Sequence, residues 1–398
     1  MTETTSSLEG SNLETPELES SLSKLGSYLS AELGADVTEI EILEEGLNLI
    51  ASISTAEDER YILRQPNKLR DAGYMIGIER EWEVMRRLDA TELPTPEPVV
   101  FCDDESILGD PFFVMTRLDG ETVPLGSDLP ERFRSPDSRE QFANCLVDTL
   151  AAMHSLDAEP FAGLLERKPP REKVARASDR LDEATNVTGR EFTRLRSVGD
   201  WLRENALADS NTTLVHGDFR PGNLLFAETD RPQINGVLDW ESALLGDPLT
   251  GLGYLLLRWR DEGDPTPSLD RLEAEYSNEE ELRHLREVNQ HGLAPFTSRP
   301  GSPTRRELIA RYEEQTGFSF ENGQFYVALA AYLLATVWAD LYREQVESRK
   351  EAASGEDGAE TASEAESETK SEAESDRLPH IDYVTTLAES VVSGAFEV

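Results

Sequence analysis

Leucines stand at positions 18, 22, 25, 29 and 33, a spacing of three and four that lines one face of a helix. Thr15-Pro16 supplies a cap followed by proline at the first helical position, and Gly34 supplies a stop. The pattern then shortens to strand-like runs over Glu39–Ser54, Tyr61–Gln65, Val99–Asp103 and Pro111–Leu118, with one helical stretch, Ile76–Leu88, among them. Asp119-Gly120 breaks the last run, and beyond it the helical period dominates. Asp137-Ser138-Arg139-Glu140 reads as a capping box ahead of Phe142, Leu146, Leu150 and Met153. Asp247-Pro248 opens another helix carrying Leu249, Leu252, Leu256 and Trp259. Phe325–Ala339 is an apolar run of fifteen residues, short of the ~20 that span a bilayer, and is expected as a buried helix. The expected organisation is α+β. It runs as a disordered tail over 1–14, a strand-rich lobe over 15–118, a mostly helical lobe over 119–349, a low-complexity acidic loop over 350–378 and a final helix within 379–398.

Inside the helical part, three short apolar runs interrupt the pattern. Thr212–Val215 is β-prone and ends at His216-Gly217-Asp218-Phe219-Arg220-Pro221-Gly222-Asn223. Asn223–Phe226 and Ile234–Leu238 read as strands joined by the turn-like Ala227–Gln233, and Asp239-Trp240-Glu241 follows. A hairpin centred on Arg231 places residue 223 opposite residue 239. Cross-strand neighbours sit about 5 Å apart, so Asn223 and Asp239 could share one metal ion. Asp218 precedes Asn223 by five residues. Phosphoryl transfer needs such a set: one carboxylate to orient the attacking hydroxyl, and an amide with a second carboxylate to hold magnesium against the phosphates. His216 is expected to pack and hydrogen-bond, holding the loop without moving a proton.

Composition narrows the setting. The 398 residues carry a net charge of −41, with 38 basic residues of which six are lysine. The acidic segments 1–20 and 351–376 exaggerate this, and without them the remainder is still at −27. An acidic, lysine-poor surface suits a cytoplasm with very high salt, where charge is screened. No basic stripe exists to neutralise nucleic-acid phosphates. Cys102 and Cys145 make neither a disulfide framework nor a metal site. The acidic N-terminus has no apolar core of a signal peptide, so a cytoplasmic protein with neither membrane nor nucleic-acid partner is expected. Oligomeric state is not legible.

The His-x-Asp start, the Asn five residues after the Asp and the later Asp resemble the catalytic loop of the protein-kinase-like superfamily. Gly217 after His216, and Asp239-Trp240-Glu241 where protein kinases carry Asp-Phe-Gly, look like the aminoglycoside phosphotransferase and choline kinase branch. Within that branch the chain is similar to the phosphotransferase domains fused to acyl-CoA dehydrogenases. Gly246-Asp247-Pro248-Leu249, Leu252-Gly253-Tyr254 and Arg306-Glu307-Leu308-Ile309-Ala310-Arg311-Tyr312 continue the pattern, over about residues 20 to 345. No activation segment ending in Ala-Pro-Glu is present, as a protein kinase would have.

The resemblance implies a bilobal kinase-like fold that binds ATP and magnesium between its lobes and phosphorylates a small-molecule hydroxyl. Asp218 would orient that hydroxyl and accept its proton late, and Arg220 would bind the transferring phosphate. Asn223 and Asp239 would hold magnesium, with Glu241 adding a ligand through water or orienting the loop. Arg64 and Glu81 occupy the sites of the phosphate-binding lysine and its helical partner, with Glu79 as a rival partner. Gly46 and Asn48 lie in Glu45-Gly46-Leu47-Asn48, where the family has a phosphate-covering turn one residue longer and containing serine. Phe113-Val114-Met115-Thr116-Arg117 would pass behind the adenine, with backbone groups near Thr116 and Arg117 reading its edge. Position 251 is glycine where the family usually carries an Asp that braces the catalytic loop, and His154 is expected as a packed histidine. The acceptor would lie against Leu252–Arg260 and Arg306–Tyr332. A hydroxyacyl thioester is expected, with an aminoglycoside- or choline-type acceptor as the alternative and a nucleotide-binding pseudokinase scaffold as the rival of another class. Arg258, Arg260, Arg305, Arg306 and Arg311 would meet an anionic acceptor or else be surface charges.

Overall fold

Residues 15–46, 48–66, 75–207, 211–355 and 377–396 are described by the computed structural model. The tail over 1–14, Leu47 and residues 356–376 of the acidic loop lie outside the described residues. The chain divides into a smaller unit, Met1–Ala90 with Pro96–Leu118, and a larger one, Thr91–Thr95 with Asp119–Val398.

In the smaller unit the leucine stripe forms α1 (Thr15–Leu33). The run Glu39–Ser54 is two paired strands, β1 (Val37–Glu45) and β2 (Asn48–Thr55). β3 (Arg60–Pro66), α2 (Ile78–Leu88), β4 (Pro98–Cys102), the single turn α3 (Glu105–Leu108) and β5 (Phe112–Thr116) follow. The sheet is antiparallel in the order β1-β2-β3-β5-β4. Successive strand side chains point to opposite faces, and both faces are covered. Leu63 and Phe112 join Leu25, Leu29, Ile53 and Val114 in the core against α1. Each such buried side chain contributes about 1.5–3 kcal/mol of transfer free energy. Phe113, the next residue, lies 5.9 Å from Trp82 of α2. Arg64 is the ladder partner of Phe113 and so is carried to the α2 face.

The larger unit is built on α4 (Pro136–His154), α5 (Pro170–Thr188) and α6 (Thr193–Asn205), then α7 (Pro248–Leu257), α8 (Asp270–Glu275), α9 (Glu279–His291), α10 (Arg305–Thr316), α11 (Gly323–Gly355) and α12 (Leu378–Val392). The cap expected at Asp137 falls two residues earlier. Ser135 accepts from the Ser138 N–H at 3.2 Å, and Pro136 takes the first helical position. Proline lacks the N–H that a later cap would leave unused there, so the cap moves ahead of it.

The apolar run Phe325–Ala339 lies inside α11, a helix of 33 residues. It is longer than expected because its polar continuation stays helical, with Arg343 paired one turn on to Glu347 at 2.8 Å. Phe325 to Tyr332 are buried without a break, as in a helix enclosed by its neighbours α5, α6, α7 and α12. By length and composition Gly323–Lys350 could cross a membrane, but 72% of its most apolar window is buried within the protein, the burial of a core helix.

At the end of α4, His154 is 1% exposed, with Nδ1 2.7 Å from the Tyr312 hydroxyl. Burial first, and the Lys173 charge second, push its imidazolium down to about 3. In the unfolded chain it titrates at about 6.5, so between those values the unfolded state holds the extra proton. Stability should therefore fall as pH drops from about 6.5 toward 3, by up to about 1.4 kcal/mol per pH unit from this residue. Denaturant unfolding at pH 4 to 7 should show a flatter acid slope for His154→Gln than for wild type; identical slopes would remove His154 as a cause.

Candidate active site

The loop 216–223 leaves β7 (Thr213–Val215), which pairs antiparallel with β10 (Leu244–Gly246); β10 in turn pairs with β6 (Arg167–Lys168). Gly217 turns the chain at φ +89°, and a Cβ there would stand 2.2 Å from the Ser242 carbonyl oxygen. Only glycine meets both conditions. Pro221–Asn223 make one tight turn that feeds β8 (Leu224–Phe226), which pairs with β9 (Ile234–Val237).

The hairpin register differs by one residue from that expected. Leu224 faces Val237 and Leu225 faces Gly236, and the Leu238 N–H donates to the Asn223 carbonyl at 2.9 Å. Asn223 is thus opposite Leu238, not Asp239. The turn is centred one residue earlier than expected: Phe226 pairs with Ile234, and the Ala227 N–H donates to the Gln233 carbonyl at 2.9 Å. That centring alone would set residue 223 opposite 237; a bulge with Asn235 as its extra residue moves the partner to 238, and the Asn235 side chain donates to the Asp119 carbonyl at 2.6 Å. Asp239 lies just beyond the ladder, in the left-handed conformation at φ +67°. Asp is among the few residues that adopt this conformation readily. The turn Trp240–Ser242 follows, with the fully buried Trp240 ring 4.7 Å from the His216 ring.

His216 ties the two halves together. Its Nε2 lies 2.7 Å from the Leu238 carbonyl, which can only accept, and its Nδ1 accepts from the Asp218 N–H at 3.2 Å. These partners select the neutral Nε2–H tautomer. Burial holds the imidazolium below its ordinary range, against the pull of Asp218. The ring is a brace, with both nitrogens committed to backbone partners.

Asp218 is the convergence point. Asn223 Nδ2 donates to its Oδ2 at 2.8 Å and to its backbone carbonyl at 2.9 Å. Arg220 Nε donates to Oδ2 at 3.1 Å. The Tyr254 hydroxyl donates to Oδ1. Burial alone would raise the carboxyl, but Arg220, then Arg258 and the Tyr254 hydroxyl, hold it below the usual carboxylate range. Asp218 is therefore a charged acceptor at neutral pH, with donors arranged on both oxygens. The sequence reading singled out Asp218, Arg220 and Asn223 but gave Tyr254 no role. Its sequence signals are its place in Leu252-Gly253-Tyr254, which continues the family pattern, and a phenol on a mostly apolar helix.

Asn223 directs its nitrogen at Asp218, which leaves its amide oxygen as the donor for a cation. With the Asp239 carboxylate next in line past Leu238, the two side chains carry hard oxygens of the kind magnesium takes. Among the described residues no group of three His, Cys, Asp or Glu side chains is clustered for a metal, so a cation here would also rely on phosphate or water oxygens. Glu241 is buried in the turn after Asp239.

In the smaller unit Arg64 Nε lies 3.1 Å from Glu81 Oε1, with both side chains nearly sealed from solvent. Glu79 is exposed. The choice follows from the helix period: Ile78, Glu81, Val84, Met85 and Leu88 form the buried stripe of α2. At the two other places considered for nucleotide contact, the named amides have partners within the chain. The Gly46 N–H is spent on the Asn48 carbonyl at 3.1 Å, closing the turn between β1 and β2. The Thr116 and Arg117 N–H groups are bonded to the Glu97 and Arg60 carbonyls at 2.9 and 3.0 Å, so neither is free to read a purine edge.

The arginines considered for an acceptor divide. Arg258 and Arg305 are not surface charges: they are 4% and 3% exposed. Arg305 is held by Asp264 and, at 2.8 Å, by the Trp259 carbonyl. Arg311 pairs with Asp148, Arg260 donates to the Asn289 carbonyl at 2.6 Å, and Arg306 is exposed. Only Arg258 lies close to Asp218. At Gly251 a Cβ would meet the His154 ring at 2.9 Å, so the histidine occupies the space a side chain would need.

Comparison with known proteins agrees with this geometry. Residues 43–287 match the family model described as the phosphotransferase enzyme family. Acyl-CoA dehydrogenase family member 11 of Homo sapiens is 26% identical over 299 residues, covering 71% of this chain and 33% of that protein. The chain thus spans about a third of the length of the curated relatives it matches. A solved structure from Ralstonia eutropha, provisionally named an aminoglycoside phosphotransferase, superposes with a TM-score of 0.64 at 21% identity over 93% of this chain and 98% of its own. The GDP complex of aminoglycoside 2'-phosphotransferase-IIIa gives 0.55 at 13% identity, over 94% and 99%. A small antiparallel sheet with a larger helical unit is the kinase-like fold. The chain belongs to the phosphotransferase enzyme family.

Proposed function

We propose that the protein is an ATP- and magnesium-dependent phosphotransferase that phosphorylates a hydroxyl of a small metabolite, a hydroxyacyl thioester or a close relative. The observation that carries this reading is the Asp218 carboxylate, kept ionised by Arg220 while Asn223 and the Asp239 turn are tied to the same loop. Asp218 aligns the acceptor O–H and takes its proton late, as charge develops on the oxygen. Arg220, two residues on, meets the transferring phosphoryl oxygens. Bound magnesium would neutralise charge on the phosphate oxygens, and Asn223 and Asp239 are the residues to hold it. Arg64, fixed by Glu81, is the proposed contact to the nucleotide phosphates.

Two features favour a thioester acceptor. The curated relative is by name an acyl-CoA dehydrogenase family member, so an acyl thioester is a natural metabolite for the domain they share. Arg220 and Arg258 flank Asp218, a setting that suits an acceptor bearing phosphates and disfavours a polycationic aminoglycoside. The chain's acidity suggests molar salt as the working condition, in a cytoplasm. The test is transfer from γ-labelled ATP, with magnesium in molar KCl, to a panel of hydroxyacyl-CoA thioesters, choline and kanamycin. Label on a thioester is the expected result. Tight ATP binding without transfer to any acceptor or to water would replace the enzyme with a nucleotide-binding scaffold.

A further inference from the structure

We propose that Tyr254 is a positioning residue for phosphoryl transfer: its hydroxyl fixes the Asp218 oxygen that receives the acceptor alcohol. This rests on the assignment of Asp218 as the proton acceptor. The argument begins with which carboxylate oxygen is available. Oδ2 already accepts from Asn223 at 2.8 Å and Arg220 at 3.1 Å, which uses both of its in-plane directions. Oδ1 accepts from Tyr254, which uses one and leaves the other for an incoming O–H. Three donors on two oxygens stop rotation of the carboxylate and aim its last lone pair. During transfer the acceptor oxygen bonds to phosphorus and the bond from phosphorus to the nucleotide's bridging oxygen breaks. The electron pair of that bond leaves with the nucleoside diphosphate, and the acceptor's proton passes to Asp218 Oδ1. The Tyr254 hydrogen bond stays in place throughout and donates to the charged form of Asp218 before the proton arrives.

The surroundings place this hydroxyl with unusual firmness. Asp247 caps α7, accepting from the Leu249 N–H at 3.0 Å, and its other oxygen accepts from Tyr326 of α11 at 2.8 Å. Gly253 lies against the Tyr326 backbone, where a Cβ would come within 2.8 Å, and Gly251 lies against the His154 ring of α4. α7 is thus wedged between two helices immediately before residue 254. One turn later Arg258 lies 3.8 Å over the Tyr254 ring and donates to its carbonyl at 2.9 Å. Its buried Nε has no hydrogen-bond partner among the described residues. A guanidinium stacked on the phenol favours it as a donor. The groups facing Asp218 are then Arg220, Arg258, His216, Asn223 and Tyr254.

The test uses the full chain, with release of inorganic phosphate from ATP and magnesium in molar KCl, water serving as the acceptor. Tyr254→Phe keeps the ring under Arg258 and removes only the donor. It should lower kcat by about 10-fold or more, since a hydrogen bond to a charged group is lost, with KM for ATP unchanged. The acid limb of the pH profile should move upward, because Asp218 loses a donor to its ionised form. Incorporation of 3,5-difluorotyrosine at position 254, a stronger donor, should move that limb downward, and this keeps the test open should the phenylalanine variant fold poorly. Wild-type kcat and an unmoved limb in both proteins would overturn the proposal. Asp218→Asn separates the two levels. If it abolishes turnover while the Tyr254 variants are normal, only the role of Tyr254 falls; if it turns over normally, the assignment of Asp218 falls with it.

Discussion

Replacing Asp218 with alanine is expected to lower phosphoryl transfer by about 10²–10⁴-fold, the range that a positioned general base contributes. The protein should remain folded. Asp218 is part-exposed, with 27% of its side chain accessible, and the loop keeps its other ties. His216 still bridges toward Leu238, and Gly217 still fits beneath Ser242. Removing the carboxylate releases Arg220 and the Asn223 amide but deletes no group assigned to the nucleotide or the cation, so nucleotide affinity should change far less than kcat. The measurement is steady-state transfer beside ATP binding by calorimetry. Full activity in Asp218→Ala would remove the base from the mechanism. A fall in binding as large as the fall in rate would instead make Asp218 a nucleotide ligand.

Glu81→Ala should produce the largest loss of stability among single changes at the proposed site. Glu81 is 1% exposed and its partner Arg64 8%. Truncating one member of a buried pair leaves the other charge without compensation, at a cost of about 3–5 kcal/mol. Replacing both, as Arg64→Met with Glu81→Leu, removes the charges together and should recover most of that loss. The double variant should still fail to bind ATP if Arg64 meets the phosphates. Urea unfolding of the smaller unit's signal, alongside ATP titration, reads both outcomes. A Glu81→Ala protein as stable as wild type would mean that Arg64 finds another acceptor. A double variant that binds ATP normally would take Arg64 out of the nucleotide site.

How far these residues were legible varies with the kind of signal. Glu81 could be chosen over Glu79 by resemblance, and the structure supplies the reason: 81 is on the apolar stripe of α2 and 79 is off it. Asp218, Arg220 and Asn223 lie within six residues of each other, so chain geometry alone nearly brings them together. The hairpin was readable as a hairpin, but its register was not. A turn symmetric about Arg231 gives residue 239 as the partner of 223, whereas the turn is centred on residue 230 and carries a bulge at Asn235, whose side chain answers the Asp119 carbonyl more than a hundred residues away. The partners of the Thr116 and Arg117 amides were not legible either, since each is set by a segment 19 or 57 residues away, Glu97 and Arg60.

The sequence by itself determined the periodicities, the Asp247 cap, the strand-rich beginning, the helical remainder and the compact His216–Asn223 constellation. All of these depend on interactions within a few residues, where the backbone leaves few choices. Only the tertiary structure decided that Tyr254 reaches Asp218, that His154 fills the space at Gly251 and that Gly253 lies against the Tyr326 backbone. Those contacts join α7 to a loop some thirty-six residues earlier and to helices still farther off. Close packing of whole helices selects such partners, and no local pattern of residue types encodes which side chains it will press together.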